Sequence, residues 1–315
     1  MKPCWRGEVI MKQLLEEILK ECSPYKKEGK VACYIPELAK ANVEDFGICI
    51  VSENETYDVA GDFDKPFTAQ SIIKPMILLL ALEDQGVELV NKLCGVEATG
   101  KPFDAFNYSD RALTSEHINP MINAGAIALC TLIKGDTYED KFQRLLELTR
   151  KLANNPNLEV NQAVYLSEKA TGNKNRALAY MLKAYGMIDG NMEDVLDVYF
   201  KACSIHVTCK DLANIAFVLA NHGRRGQTGE RLVNKAHAKY VNAIMTICGM
   251  YDGSGEFALR VGVPAKSGVG GGIMACVPWR MGIAVYSPAL DKKGNSLAGF
   301  KALEILSREI NLSIF

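Results

Sequence analysis

Ser71 and Lys74 stand three residues apart where a polar segment, Phe67-Thr68-Ala69-Gln70, gives way to an almost wholly apolar one. From Ile72 to Leu82 the only polar side chain is Lys74. A run that is apolar all round reads as a buried helix, and Pro75 fits only in or next to its first turn. A helix starting near Ser71 puts Ser71 and Lys74 on one face, with the lysine held among apolar neighbours. The chemistry on offer is nucleophilic. A serine hydroxyl becomes a nucleophile when a base takes its proton, and desolvation disfavours the ammonium form of a lysine. The motif alone is common, since Ser23-Pro24-Tyr25-Lys26 is a second match in a polar setting. A helix cap and a snorkelling lysine account for Ser71 and Lys74 without any chemistry.

The elements that must position this pair follow from the pattern of the chain. Residues 11–22 have helical spacing, and residues 1–10 read as an upstream extension of little structural weight. Phe46–Val51 and Thr56–Ala60 flank Ser52–Glu55 as an antiparallel hairpin. The Ser71 helix is expected to end near Gly86. From about 95 to 250 the pattern is mostly helical, with Thr208-x-x-Asp211 as a capping box. Ile273–Val277 and Met281–Tyr286 suit adjacent antiparallel strands, and residues 296–310 form a closing helix. The simplest packing is α+β: strands from both ends of the chain in one antiparallel sheet covered by the terminal helices, beside a helical lobe. We expect a single catalytic domain over 1–315. It comprises an N-terminal helical segment (1–28), an α/β lobe (29–70 and 251–315) and a helical lobe (71–250), with the site where the lobes meet.

Composition narrows the function classes. With 48% hydrophobic and 23% charged residues the chain has material for a sizeable core. A net charge of −1 removes the footprint of a nucleic-acid binder. The longest apolar run is too short for a bilayer, and no signal-peptide pattern opens the chain. The ten cysteines are scattered without C-x-x-C, several inside apolar runs, and read as reduced thiols of a cytoplasmic protein. Cys203, His206 and Cys209 are close in sequence but lack the second cluster a metal site needs, so no metal is expected.

Nearly 200 residues after Lys74, Lys266-Ser267-Gly268 introduces Val269-Gly270-Gly271-Gly272. Serine β-lactamases and penicillin-binding proteins pair their Ser-x-x-Lys with such a Lys-Ser/Thr-Gly. A phosphate loop is the rival reading, but no Gly-Lys-Ser/Thr follows, and the next element looks like a strand. The ordered set of motifs resembles one family, the serine-dependent glutaminases, which share the β-lactamase-like fold. The resemblance runs from about Gly29 to the last helix. It is carried by Lys30–Leu38, Gln70-Ser71-Ile72-Ile73-Lys74, Asn119–Ala126, Ser167-Glu168, Tyr199-Phe200-x-x-Cys203-Ser204, Met250–Ala258 and Pro264–Ile273.

The resemblance implies an L-glutamine amidohydrolase that needs no cofactor. Ser71 would be the nucleophile, Lys74 its partner in proton transfer, and Tyr251 a second proton carrier. Lys266 would place positive charge near Tyr251 and favour a tyrosinate. The backbone N–H groups of Ser71 and Val269 would form the oxyanion hole. Tyr34, Asn123, Glu168, Asn175, Tyr199 and Tyr251 would line the glutamine pocket. These types suit a free amino acid: Glu168 answers an ammonium, and Asn and Tyr answer a carboxylate and an amide. One departure concerns Lys174-Asn175-Arg176, where the family usually reads Arg-Asn and the adjoining basic residue is moved. Lys74 and Tyr251 remain alternatives as general base. A β-lactam or D-amino peptide hydrolase, and a non-catalytic glutamine sensor, are the competing functions. The family also implies a cytoplasmic homo-oligomer, a dimer or tetramer, with L-glutamine as its small-molecule partner and neither nucleic acid nor membrane.

Overall fold

The computed structural model describes residues 8–100 and 114–315; Cys4 and the rest of the expected upstream extension as far as residue 7 lie outside it. Helix α1 (Glu8–Cys22) begins three residues before the expected start at Met11. The hairpin is present as β1 (Gly47–Ser52) and β2 (Tyr57–Gly61). After a two-residue strand β3 (Phe67–Thr68), α2 (Lys74–Leu93) follows. Gly86 interrupts it at φ 76°, so it is the expected end of the first helical stretch, and the chain resumes helix beyond it.

The helical lobe contains α3 (Asn123–Leu132), α4 (Tyr138–Ala153), α5 (Gln162–Thr171), α6 (Asn173–Ala184) and α7 (Met192–Cys203). Strand β4 (His206–Val207) leads to α8 (Cys209–Ala220), which Thr208 and Asp211 open with the expected capping box. Then come α9 (Lys235–Cys248), α10 (Ser254–Arg260), β5 (Ala265–Ser267), β6 (Gly272–Val277), β7 (Met281–Tyr286) and α11 (Leu297–Ile310).

The five-stranded sheet has the order β2-β1-β7-β6-β5 and is antiparallel throughout. The two ends of the chain meet in it, with Cys49 opposite Ala284. Side chains alternate between its faces. Ile48, Ile50, Ile283 and Val285 pack with Leu15 and Ile18 of α1 and Leu303 and Leu306 of α11. Cys49, Met274, Ala284 and Tyr286 face the helical lobe. The terminal helices therefore cover only one face. The other is covered by α8, from the middle of the chain. A Cβ at Gly282 would stand 2.1 Å from the Ala213 carbonyl oxygen, so helix and strand backbones meet there with no side chain between them. Helix α8 is buried on nearly every side, as the apolar run from Ile215 to Ala220 requires. A separate ladder pairs Phe67 with Val207 and Thr68 with His206. Strands this short leave no alternation to read.

Candidate active site

Ser71 is held by three backbone devices. The β3–β4 ladder and a bond from Ala69 N–H to the Ile205 carbonyl (2.9 Å) anchor the approach. Gln70 then takes φ 48°, a left-handed conformation uncommon for a residue with a side chain. This turns the chain into a short 3-10 segment, Gln70–Ile73, that runs straight into α2. Finally, the loop after β5 lies against this approach. A Cβ at Gly268 would come within 2.7 Å of the Ala69 oxygen, and one at Gly270 within 2.6 Å of the Thr68 oxygen. Val269, between the two glycines, is buried.

Lys74 is wholly buried. Its Nζ donates to the Met121 carbonyl (3.2 Å) and to Asn123 Oδ1 (2.6 Å). Asn123 Oδ1 also accepts from the Tyr199 hydroxyl (3.2 Å), while Asn123 Nδ2 donates to Asn175 Oδ1 (2.9 Å). Asn123 is thus no helix cap. It joins α2, α6 and α7 at the start of α3. Asn175 lines one cavity with Asn123, and Arg176 beside it turns away to Glu193 (3.0 Å).

Glu168 on α5 is buried, and its Oε2 has no hydrogen-bond partner within the protein. Burial pushes its carboxyl up to about 8, against the opposing pull of Lys74 and of a hydrogen bond from Gln70. Glu168, Asn123 and Asn175 line one cavity of about 360 Å³ with Tyr34, Ile35 and Lys174. Tyr34 is 56% exposed and so stands at the rim. Ser71 and Tyr251 are not among this cavity's lining residues: Lys74, three residues after Ser71, bonds Asn123 (2.6 Å), and Tyr251 lines a different cavity with Cys248, Asp252 and Ser254. Gln70 is a contributor that residue-type reasoning missed. Its role comes from backbone geometry, which leaves no trace in composition.

Tyr251 sits at φ 52° in a 3-10 turn after α9. The Ser254 hydroxyl accepts from Met250 N–H (3.1 Å) and donates to the Tyr251 carbonyl (2.9 Å), holding this turn. Burial drives the phenol pKa upward, with Ser71 and the Val269 amide pulling the other way. Lys266, also wholly buried, donates to the carbonyls of Gly249 (3.0 Å) and Ser267 (2.5 Å). Burial first, then Lys74, force its amine well below the usual lysine range. The expected tyrosinate is therefore not favoured. Lys266 faces the ring rather than the oxygen, and desolvation governs both groups.

His206 and Cys209 go to separate partners, Asn161 (2.8 Å) and the Gly47 carbonyl (3.6 Å), so these two do not share a site with Cys203. The nine described cysteines are free, and all but Cys33 are buried. No described helix is long and apolar enough to cross a membrane.

A buried Ser-x-x-Lys at the head of a helix, faced by Lys-Ser-Gly on the edge strand of an antiparallel sheet, defines the β-lactamase-like fold. Within that class the chain belongs to the glutaminase family, whose model matches residues 29–315. It is 52% identical to a glutaminase of Clostridium tetani over 97% of this chain and 100% of that one. A structure of a probable glutaminase from Bacillus subtilis complexed with 6-diazo-5-oxo-L-norleucine superposes with a TM-score of 0.89 at 36% identity, covering 100% of both chains. A covalent complex between a Bacillus subtilis glutaminase and 5-oxo-L-norleucine, formed by reaction with the same compound, gives 0.88 at 36% identity over 96% of this chain and 99% of that one.

Proposed function

We propose that this glutaminase hydrolyses L-glutamine to L-glutamate and ammonia through a γ-glutamyl ester on Ser71. The observation that carries the reading is the cavity holding Glu168, whose buried Oε2 lacks a protein partner, beside Asn123, itself bonded to Lys74. A carboxylate oxygen there suits the α-ammonium of a free amino acid, and the Asn pair suits its carboxylate. Tyr34 adds to the pocket wall, and Tyr199 stands behind it, bonded to Asn123.

As a neutral amine, Lys74 has two N–H groups for Met121 and Asn123 and one lone pair for the Ser71 proton. Ser71 Oγ then attacks the side-chain carbonyl carbon. The N–H groups of Ser71 and Val269 receive the oxyanion, each worth about 3–4 kcal/mol to the barrier. The C–N bond breaks as the nitrogen takes a proton, and ammonia leaves. Tyr251, kept as a phenol, is suited to give that proton, and Lys266 holds the ring in place. Water then attacks the ester by the reverse proton path and frees Ser71. The covalent adduct of the Bacillus subtilis relative supports an enzyme nucleophile here. The same reading makes the protein a cytoplasmic homo-oligomer, a dimer or a homotetramer; its buried free thiols support a reducing compartment.

The test is ammonia and glutamate release by the purified protein, with Ser71→Ala alongside. Intact mass is measured after exposure to 6-diazo-5-oxo-L-norleucine. Release and an adduct in the wild type, both absent from a folded Ser71→Ala, are expected. Turnover that survives the substitution overturns the serine mechanism. Glutamine binding without turnover in the wild type leaves a sensor.

A further inference from the structure

The segment entering α5 and the segment around β4 are joined side by side. Asn161 N–H donates to the Ser204 carbonyl and His206 N–H to the Glu159 carbonyl, each at 2.8 Å. On its other edge the β4 segment holds the approach to Ser71, with Thr68 opposite His206 and Ala69 N–H on the Ile205 carbonyl (2.9 Å). Residues 204–207 therefore lie between the helix that carries Glu168 and the turn that carries Ser71. One side-chain pair closes this joint. Asn161 caps α5, its Oδ1 accepting from Val164 N–H (3.0 Å). Its amide nitrogen meets His206 Nε2 at 2.8 Å.

The direction of that contact is forced. The Asn161 oxygen is committed to the helix, because Val164 N–H can only donate. The NH₂ left for His206 is a donor too, so Nε2 must accept with its lone pair and the ring proton sits on Nδ1. Burial outweighs the charge of Glu159 and holds this imidazole below its usual pKa, which favours the neutral ring. A side chain without an acceptor at 206 would strand the Asn161 NH₂ and free the amide to turn its oxygen off the helix. The cap stands close to the site. Val164 and Val269 belong to one buried apolar cluster. Asn161, Val164, His206, Thr68, Val269 and Gly270 are among the residues lining one further cavity, of about 370 Å³. Glu168 lies about two turns further along the capped helix.

We infer that His206 is a positioning residue of the glutamine pocket: as the acceptor for Asn161 it fixes the cap of α5, and so holds Glu168 in place against the strand that leads to Ser71. This rests on the glutamine reading of the cavity. It deepens that reading by assigning a part to a residue outside the cavity that Glu168 lines.

The experiment compares His206→Leu, His206→Gln, Asn161→Ser and the His206→Leu/Asn161→Ser double variant in steady-state kinetics, with L-glutamate affinity measured by calorimetry. Losing one neutral hydrogen bond corresponds to an effect of about three- to tenfold. His206→Leu is expected to raise KM, and weaken glutamate binding, by that factor with kcat unchanged. His206→Gln, whose side-chain carbonyl accepts, restores both values. Asn161→Ser keeps a helix cap but no NH₂, so His206→Leu adds nothing further in that background. Nitrogen NMR of histidine-labelled wild type reads the ring itself: the signal that His206→Gln removes should show a bare Nε2 and a protonated Nδ1. Should His206→Leu not fold, His206→Phe keeps a ring without an acceptor and carries the same expectation. A protonated Nε2, an unchanged KM in His206→Leu, an equal rise in His206→Gln, or additivity with Asn161→Ser overturns the inference. Glutamate affinity and ring tautomer are read without turnover, so failure of the Ser71 mechanism leaves them intact. A wild type that binds no glutamate overturns the glutamine reading and this inference together.

Discussion

The Nζ of Lys266 rests 4.3 Å from the centre of the Tyr251 ring, over its face. A charge there would bind the ring, but this amine is wholly buried and shares its surroundings with Lys74. Position, more than charge, is what Lys266 supplies: its bonds to the Gly249 and Ser267 carbonyls tie the Tyr251 turn to β5.

Lys266→Met tests this. The folded protein holds this amine well below the usual lysine range, so the unfolded chain binds the proton more readily. The resulting penalty is full below the folded-state value and fades as pH rises through it toward the ordinary lysine range. Methionine removes the group, so at pH 7 the melting temperature should rise and its pH dependence flatten. Activity should fall about 100-fold as Tyr251 loses its support. Calorimetric melts and steady-state assays across pH check both halves.

Glu168 has the opposite sign. Its carboxyl is raised to about 8 in the folded protein from 4.5, so folding takes up a proton between those values. The stability it contributes is full below about 4.5, falls as pH rises, and is lost above about 8. Glu168→Gln should therefore melt higher than wild type at pH 8 and above, while its KM for glutamine rises roughly 100-fold for want of a charged partner. In the wild type kcat/KM should climb with pH toward about 8 as the carboxylate forms. A pH–rate profile with paired melts decides it.

Gly268→Ala places a methyl 2.7 Å from the Ala69 oxygen and 2.9 Å from Ile72 Cγ1. The loop or the Ser71 turn must shift, and the Val269 N–H moves with it. The expected result is a kcat lower by about 100-fold with KM nearly unchanged, measured by ammonia release at saturating glutamine.

Tyr251→Phe keeps the ring beneath Lys266 and removes the proposed proton carrier. Its kcat should fall by about 10²–10⁴, while glutamate binding by calorimetry stays close to wild type.

The site was legible in the sequence because its residues are chemical types at fixed offsets: Ser71 with Lys74, and Lys266 ahead of a glycine run. The hairpin, the paired strands β6 and β7 and the closing α11 were legible from alternation and helical spacing. Two things were not. Helix α8 was recognised as a helix, but no local signal says which face of the sheet it covers; that is decided by where Gly282 admits it. Gln70 was invisible because its contribution is a backbone angle. The tyrosinate expectation failed for a related reason. Counting a lysine as positive ignores the cost of burying it.

The pairing of β1 with β7 has a consequence for how the protein is made. Strand β1 is synthesised early, yet its neighbour on the inner side of the sheet emerges about 230 residues later, which is on the order of ten to fifty seconds of ribosome time. Until then the hairpin has an open edge, and α8 has no sheet to lie on. The Lys266 strand arrives in that same late portion. The nascent chain therefore passes most of its synthesis with Ser71 already present and its opposing loop still unmade, so a truncated product carries the proposed nucleophile without the strand that faces it.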